Sequence, residues 1–362
     1  MGLVSQVRDR LKARKRRRVR EDIFDALDVA RRDAVTRPIS PDDRLVIFSD
    51  HHKGARDGAD DFQRCERAYN AALTYYNHLG WHVIELGDVE ELWENTFSEV
   101  ASCYPETLRL AADFHADGRR YTRLYGNHDL AWKDADLFAD NMTKRGYGGV
   151  EPLGSLVLTL TDRDGGALGE LLLVHGHQGT ADSDRHAGTS KFFVHRGWRP
   201  LQRLLNRPWN TPSVDWELRG EHASAMAAWA ENRQRVLIAG HTHLPVFFNQ
   251  HKTPDPPPET MAADEHTDPK VAEALRLARA AWADAEAVRL ASQRPLTLTT
   301  PCYFNTGCCS FGDGDITGIE IADGEIRLVR WPADPETDRR VLGTPLQLDE
   351  VFARVTQPAP TQ

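Results

Sequence analysis

Short apolar runs recur along the chain, and their lengths and flanks predict strands: LVIFS (45–49), HVIEL (82–86), YTRLY (121–125), LVLTL (156–160), ELLLVH (170–175) and RVLIAG (235–240). Several are almost wholly apolar, the pattern of strands covered on both faces. Stretches with helical spacing, Phe62 to Leu79 and Tyr104 to Ala116, lie between the first runs, so the chain opens β-α-β-α in the manner of an α/β sheet. Later the strands lose their helices. LVLTL meets ELLLVH across the turn RDGGALG, and ITGIEIADGEIRLVRW (316–331) reads as a hairpin turning at Ala322-Asp323-Gly324. Mixed sheets are therefore expected, not one parallel sheet.

The same pattern divides the chain. Residues 1–42 read as a basic helical lead-in, with Ile23, Phe24 and Leu27 at helical spacing and Pro38 and Pro41 ending it. The main domain is expected over 43–331, interrupted by two insertions. Residues 178–233 are rich in Arg, Trp and His and read as a helical cap; residues 250–295 pair a proline-rich loop, KTPDPPPET, with an alanine-rich helix. Residues 332–362 are polar and contain five prolines, which suggests a partly disordered tail.

Composition adds limits. With 362 residues, 40% of them hydrophobic and 27% charged, the chain has enough material for a sizeable core. The net charge of −9 hides a contrast: residues 1–20 carry a local +8, and the remainder −17. An acidic body does not suit a general nucleic-acid binder, whereas the arm at residues 8–20 offers contact to nucleic acid or an anionic membrane. Five scattered cysteines do not form a disulfide framework, and Cys308-Cys309 reads as small residues filling a turn. With no apolar core behind the basic N-terminus and no long apolar run, the expected location is cytoplasmic.

The chemistry lies just past the strands. The runs lead into Asp50-His51-His52, Gly87-Asp88, Gly126-Asn127-His128-Asp129, His175-Gly176-His177 and Gly240-His241-Thr242-His243. In open α/β sheets ligands bind beyond the carboxyl ends of strands, so five strand ends carrying Asp, Asn and His point to one shared site. Imidazole, carboxylate and amide oxygen suit Mn, Fe or Zn, and without a cysteine among them a structural thiolate zinc site is not the reading. The donors suffice for two ions.

This ordered set resembles the calcineurin-like metallophosphoesterase superfamily. Its pattern DxH, GDxx(D/E), GNH(D/E), a lone His and GHxH is matched by Asp50-x-His52, Gly87-Asp88-x-x-Glu91, Gly126-Asn127-His128-Asp129, His175 and Gly240-His241-Thr242-His243. The resemblance implies a metallophosphoesterase-type α/β/β/α sandwich with mixed sheets, plus a helical cap. It also implies two divalent transition-metal ions, with Mn favoured. Asp50, His52 and His243 would hold one ion, Asn127, His175 and His241 the other, and Asp88 would bridge them. His128 would act at the leaving group and Asp129 would orient it, in the hydrolysis of a phosphate ester or pyrophosphate by a metal-bridging hydroxide.

The segments FSDHHKG, ELGDVEELWENT and YFNTGCCSFG are similar to the UDP-2,3-diacylglucosamine pyrophosphatase branch, which implies a sugar-nucleotide or lipid pyrophosphohydrolase. The Gly-Asn-His-Asp block has the general superfamily form, and the stretch between His243 and Asn305 is long for that branch. A protein phosphatase, a nucleic-acid phosphodiesterase and a non-catalytic scaffold remain the alternatives. His51, His177, Arg196, Arg199 and Arg203 are the candidate substrate contacts, with Arg207, His186, His195, His222, Trp198, Trp209 and Trp216 further candidates in the cap.

Overall fold

The computed structural model describes residues 3–116, 118–162, 165–179, 216–248, 296, 298–334 and 339–356. Helix α1 (Leu3–Asp33) leads into β1 (Val35–Ile39) and β2 (Leu45–Phe48); α2 (Glu66–His78), β3 (His82–Leu86), α3 (Phe97–Cys103), α4 (Pro105–Ala116), β4 (Tyr121–Leu124) and α5 (Ala135–Met142) follow. The second half holds β5 (Ser155–Thr161), β6 (Ala167–Val174), α6 (Trp216–Asn232), β7 (Val236–Ala239), β8 (Pro245–Val246) and β9 (Tyr303–Thr306). It closes with β10 (Ile316–Ala322), β11 (Glu325–Trp331), β12 (Arg340–Gln347) and α7 (Leu348–Thr356).

Two mixed sheets result, ordered β1-β5-β6-β7-β9-β8 and β12-β11-β10-β2-β3-β4. Strands β2, β3 and β4 are parallel, as are β6, β7 and β9, while β10 and β11 form an antiparallel hairpin. In that hairpin Ala322 pairs with Glu325, and Asp323 and Gly324 both take positive φ, the backbone of a two-residue turn matched to the strand twist.

Alternation along each strand builds the layers. Leu45, Ile47, Ile84, Leu86 and Leu124 join one core with Leu156, Leu158 and Leu160 of the other sheet. Their neighbours Val46, Phe48, Val83 and Tyr121 belong to a second core with Tyr69, Tyr76 and Leu108, from α2 and α4. Across the molecule, α1 and α6 cover the first sheet. Ile23, Leu27, Met226 and Ala230 are buried there, Asp28 accepts from Trp229 and Arg233, and Arg31 pairs with Glu170 of β6. The fold is an α/β/β/α sandwich.

Several sequence expectations change. The lead-in helix stops at Asp33, and Val35–Ile39 then forms a strand parallel to β5; Pro38 is tolerated because β1 is an edge strand. Residues 216–232, expected within the cap, are helix α6 of the sandwich, since Ala223, Met226, Ala227 and Ala230 form an apolar face. The polar tail contains β12 and α7, because Leu348, Val351, Phe352 and Val355 recur at helical spacing and bury against the first sheet. Residues 180–215, most of the expected cap, and 249–295, the second insertion, lie outside the described residues, as do Arg196, Arg199, Arg203, Arg207, His186, His195, Trp198 and Trp209. Among the described residues, no helix is long and apolar enough to cross a membrane.

One polar chain joins the sheets at the end where β2, β3 and β4 begin. Arg37 of β1 donates to the Thr122 hydroxyl of β4 at 2.7 Å, and that hydroxyl lies 2.8 Å from His82 Nε2 of β3. Burial, together with Arg37 and Arg120, pushes His82 down from 6.5 to about 4. Its folded-state pKa is depressed, so the unfolded chain takes up a proton first on acidification. Stability is then lost as pH falls from 6.5 toward 4, by about 3 kcal/mol from this group. Denaturant unfolding at a series of pH values is expected to show His82→Gln flattening that part of the profile; identical profiles would remove His82 as a source.

Candidate functional site

The ends of β2, β3, β4, β6 and β7 meet over one end of the sandwich. The first two loops are zipped together: Asp50 N donates to Gly87 O, His52 N to Asp88 O and Lys53 N to Val89 O. Crowding decides the glycines. A Cβ on Gly87 would sit 2.7 Å from Gly126 N and 2.8 Å from His175 Nδ1, and one on Gly126 would sit 2.1 Å from Asp88 Oδ1.

Backbone strain gathers at the same place. Nine described non-glycine residues have positive φ, and five of them are Asp50, His52, Asp88, His241 and His243. Left-handed backbone costs such residues on the order of 1 kcal/mol or more each, so it persists only where surrounding bonds impose it. Here it aims five polar side chains at one point.

Three interlocking groups of donors form: Asp50, His52 and His243; His52, Asp88 and His128; Asp88, His175 and His241. Within each, the candidate ligand atoms lie within 4.8 Å of one another. His52 Nε2 is 3.1 Å from His243 Nε2, and His243 Nε2 is 3.2 Å from Asp50 Oδ1. His175 Nε2 lies 3.0 Å from Asp88 Oδ2 and His52 Nε2 3.8 Å from that oxygen. Asp88 thus faces both ends of the cluster.

The unsatisfied atoms are informative. Asp50 Oδ2 accepts from Ser49 Oγ and from His241 N, while Asp50 Oδ1 and His175 Nε2 are buried with only their close contacts to His243 and Asp88, and Asn127 Oδ1 is buried with no hydrogen bond. Burying an unpaired amide oxygen costs about 1–3 kcal/mol, which a cation beside it would offset. The donor types fit a borderline transition-metal ion.

Electrostatics agree. Burial opposes the charges of Asp50 and Asp88, but His243 and His175 around the first and His175 and His128 around the second keep both carboxyls below their usual range. Burial also opposes charge on His52 and His175. Glu91, Asp88 and Asp50 nevertheless raise His52 to about 10, and Asp88 and Asp50 raise His175 to about 9. The carboxylates require positive partners, which protons or metal ions can supply.

His128 is held by a residue other than the one expected. Its Nδ1 pairs with Glu91 Oε2 at 2.6 Å, and its ring stacks on Trp93 with centroids 3.9 Å apart. The same Glu91 oxygen lies 3.1 Å from His52 Nδ1. Asp129, expected to orient His128, instead accepts from the backbone of Gly126, Asp88 and Val89 and from Arg123. It therefore clamps the β3 and β4 loops.

His51 does not line the cleft. It is fully buried with its ring against Tyr69 and Phe62, so the expected substrate contact is corrected: this imidazole is enclosed by aromatic core. His177 lies beside His175, ring centroids 5.4 Å apart. From α6, His222 Nε2 donates to Gly176 O at 2.6 Å, placing its ring 5.5 Å from His241. Cys308 and Cys309 are buried free thiols, and Cys309 N donates to the carbonyls of Ser49 and Asp50, so this turn buttresses the first strand end.

Sequence reasoning missed what lies behind the donors. Arg123, fully buried, pairs with Glu85, Glu90 and Asp129; Lys53 lies 3.6 Å from Glu85, and Trp132 Nε1 donates to Glu90. The signal was present as a lone acid in HVIEL and a lone base in YTRLY, which the parallel register pairs as Glu85 and Arg123.

No family model and no curated protein matches the chain. Among solved structures, a dimetal phosphatase from Danio rerio aligns over 84% of this chain and 99% of that one, with 11% identity and a TM-score of 0.37. A mutant cold-active protein tyrosine phosphatase aligns over 86% and 83%, with 13% identity and a TM-score of 0.32. Neither reaches the similarity at which a shared fold would inform the chemistry, so the donor set itself is what bears on function.

Replacing Arg123 with Met leaves Glu85, Glu90 and Asp129 buried against one fewer cation. Urea unfolding should show a loss of about 3–5 kcal/mol. A variant as stable as the parent would mean that this network does not hold the loops.

Proposed function

We propose that the protein is a dinuclear metal-dependent phosphoesterase that hydrolyses a phosphate ester or pyrophosphate. The observation that supports this best is the convergence of Asp50, His52, Asp88, Asn127, His175, His241 and His243 at five strand ends, five of them on strained backbone and Asn127 with its amide oxygen buried and unpaired. Asp50, His52 and His243 would hold one ion, Asn127, His175 and His241 the other, with Asp88 between them and Mn the favoured metal. Two adjacent divalent cations supply Lewis acidity and an activated water for attack on phosphorus.

The chain's own residues do the rest. His128 sits at the rim of the cluster and is the group suited to protonate the departing oxygen. Glu91 accepts the Nδ1 proton and so fixes the tautomer, leaving Nε2 to carry the proton that is transferred. Trp93 stacks against the same ring and limits its rotation. Burial disfavours the imidazolium, but Glu91 and Asp88 more than offset this and raise its pKa. That shift favours the protonated form of His128, the one that can donate. Asp129 acts at one remove, through the backbone clamp.

Asp88→Ala should bring metal content below one ion per chain and abolish hydrolysis of p-nitrophenyl phosphate. His128→Ala should retain metal while turnover falls about 10²–10⁴-fold. Elemental analysis and steady-state kinetics on the same preparations check both, and full activity in Asp88→Ala would refute the reading. In Glu91→Gln the carboxylate that raises His128 is gone, so the alkaline limb of the kcat profile should move to lower pH; an unmoved limb would dissociate Glu91 from proton transfer.

A further inference from the structure

Helix α1 is longer than the surface it packs on. Its C-terminal part is anchored: Ile23 and Leu27 are buried, Asp28 accepts from Trp229 and Arg233, and Arg31 pairs with Glu170. A Cβ on Gly179 would sit 2.6 Å from Ile23 Cα, so packing against the body is already tight at that residue. Immediately before it, the six residues from Arg17 to Asp22 are all exposed, with the side chains of Arg17 and Glu21 at 78% and 63%. A turn holds about 3.6 residues, so no face of the helix is covered there. The helix leaves the body at Asp22, and its backbone continues as helix to Leu3.

That stretch is a polycation. From Leu3 to Asp22 the sequence holds nine bases against three acids, Asp9, Glu21 and Asp22, a net +6. The exposed Arg17–Glu21 pair, 3.4 Å apart, is already counted in that balance. At about 100° per residue the nine basic positions ring the helix, with no gap wider than about 60°. Five pairs of bases stand four residues apart, from Arg8 and Lys12 to Arg16 and Arg20, a spacing at which like charges oppose helix formation. A polyanion along the helix removes that penalty. The acidic body interferes little: a rise of about 1.5 Å per residue sets Arg8 roughly 22 Å from Ile23 along the axis, against a Debye length of about 8 Å at physiological salt.

We propose that residues 8–20 of α1 bind the phosphate backbone of double-stranded DNA, with the helix lying in the major groove. Bases on every side suit a groove, whose two walls both carry phosphates, whereas a bilayer or a flat acidic protein face meets one side only. A helix lying on a bilayer also needs an apolar stripe, and Leu11 is followed at three- and four-residue spacing by Arg14 and Lys15. Seven of the nine bases are Arg, whose planar fork pairs with two phosphate oxygens at once. A helix with its side chains is about 10–12 Å across and the B-form major groove about 12 Å wide, while the A-form groove of RNA is too narrow. Phosphate contacts carry no base information, so this recognition is independent of sequence. The inference does not rest on the proposed hydrolysis, because none of its residues belongs to the donor cluster.

Fluorescence anisotropy of the full chain against a short labelled DNA duplex, at several salt concentrations, tests it. The logarithm of affinity should fall against the logarithm of salt with a slope of about −5, as a net +6 predicts. Arg14→Gln, Arg17→Gln and Arg18→Gln together keep helix propensity and should reduce that slope by about 2–3 and weaken binding about tenfold. A second duplex of unrelated sequence should bind equally, and an RNA duplex more weakly. A flat salt response or an unaffected triple variant would overturn the proposal, and RNA bound as tightly as DNA would overturn the groove assignment. Capture by vesicles of phosphatidylcholine and phosphatidylglycerol, at a salt concentration where DNA stays unbound, would overturn it in favour of a membrane surface. Should the triple variant fail to fold, as its urea unfolding would show, the salt slope of the parent decides.

Discussion

The geometry of the donor cluster depends on one buried cation. Arg123, buried on β4 of the second sheet, joins Glu85 and Glu90 to Asp129, and Asp129 in turn receives the amides of Gly126, Asp88 and Val89. A buried ion pair is weak evidence of net stability, because desolvation opposes its Coulomb gain. What this network supplies is placement. The loop after β3 and the loop after β4 are bound to one carboxylate, which is itself bound to a guanidinium that cannot leave without stranding three acids.

That constraint makes the strained backbone tenable. Asp50, His52, Asp88, His241 and His243 take a left-handed conformation that isolated residues of their types visit only occasionally. The loop-to-loop amide bonds and the absence of a Cβ at Gly87 and Gly126 hold them there. The result is a set of carboxylates and imidazoles so close that their charges cannot be balanced by water, and cationic partners are the economical solution. Glu91 extends the same logic outward, since one oxygen serves both His52 and His128.

The parallel strands give the molecule two chemically different ends. At their carboxyl ends the loops carry acids and imidazoles and concentrate negative charge. At their amino ends Arg37, Arg44 and Arg120 gather where the sheets part, over a floor of aliphatic side chains. The overall charge of −9 describes neither end.

The strands and the order of the donor blocks were legible in the sequence because both are local: an apolar run with a polar cluster directly after it. The β10–β11 turn was legible for the same reason. Edge and tail elements were not. Val35–Ile39 carries a proline that only an edge position excuses, and the apolar face of Leu348, Val351, Phe352 and Val355 sits in a stretch whose average is polar. Nor could the sequence assign partners. Asp129 follows His128 in the chain, and proximity suggested that they pair, yet the turn sends its carboxylate back to the backbone while Glu91, thirty-seven residues earlier, reaches the imidazole. His51 lies between two donors, yet the backbone, left-handed at Asp50 and at His52, turns its ring into aromatic core. Residue type and spacing determined what chemistry the chain can carry; which carboxylate serves which imidazole was decided only by tertiary structure, since those contacts are distances through space between loops that the sequence separates.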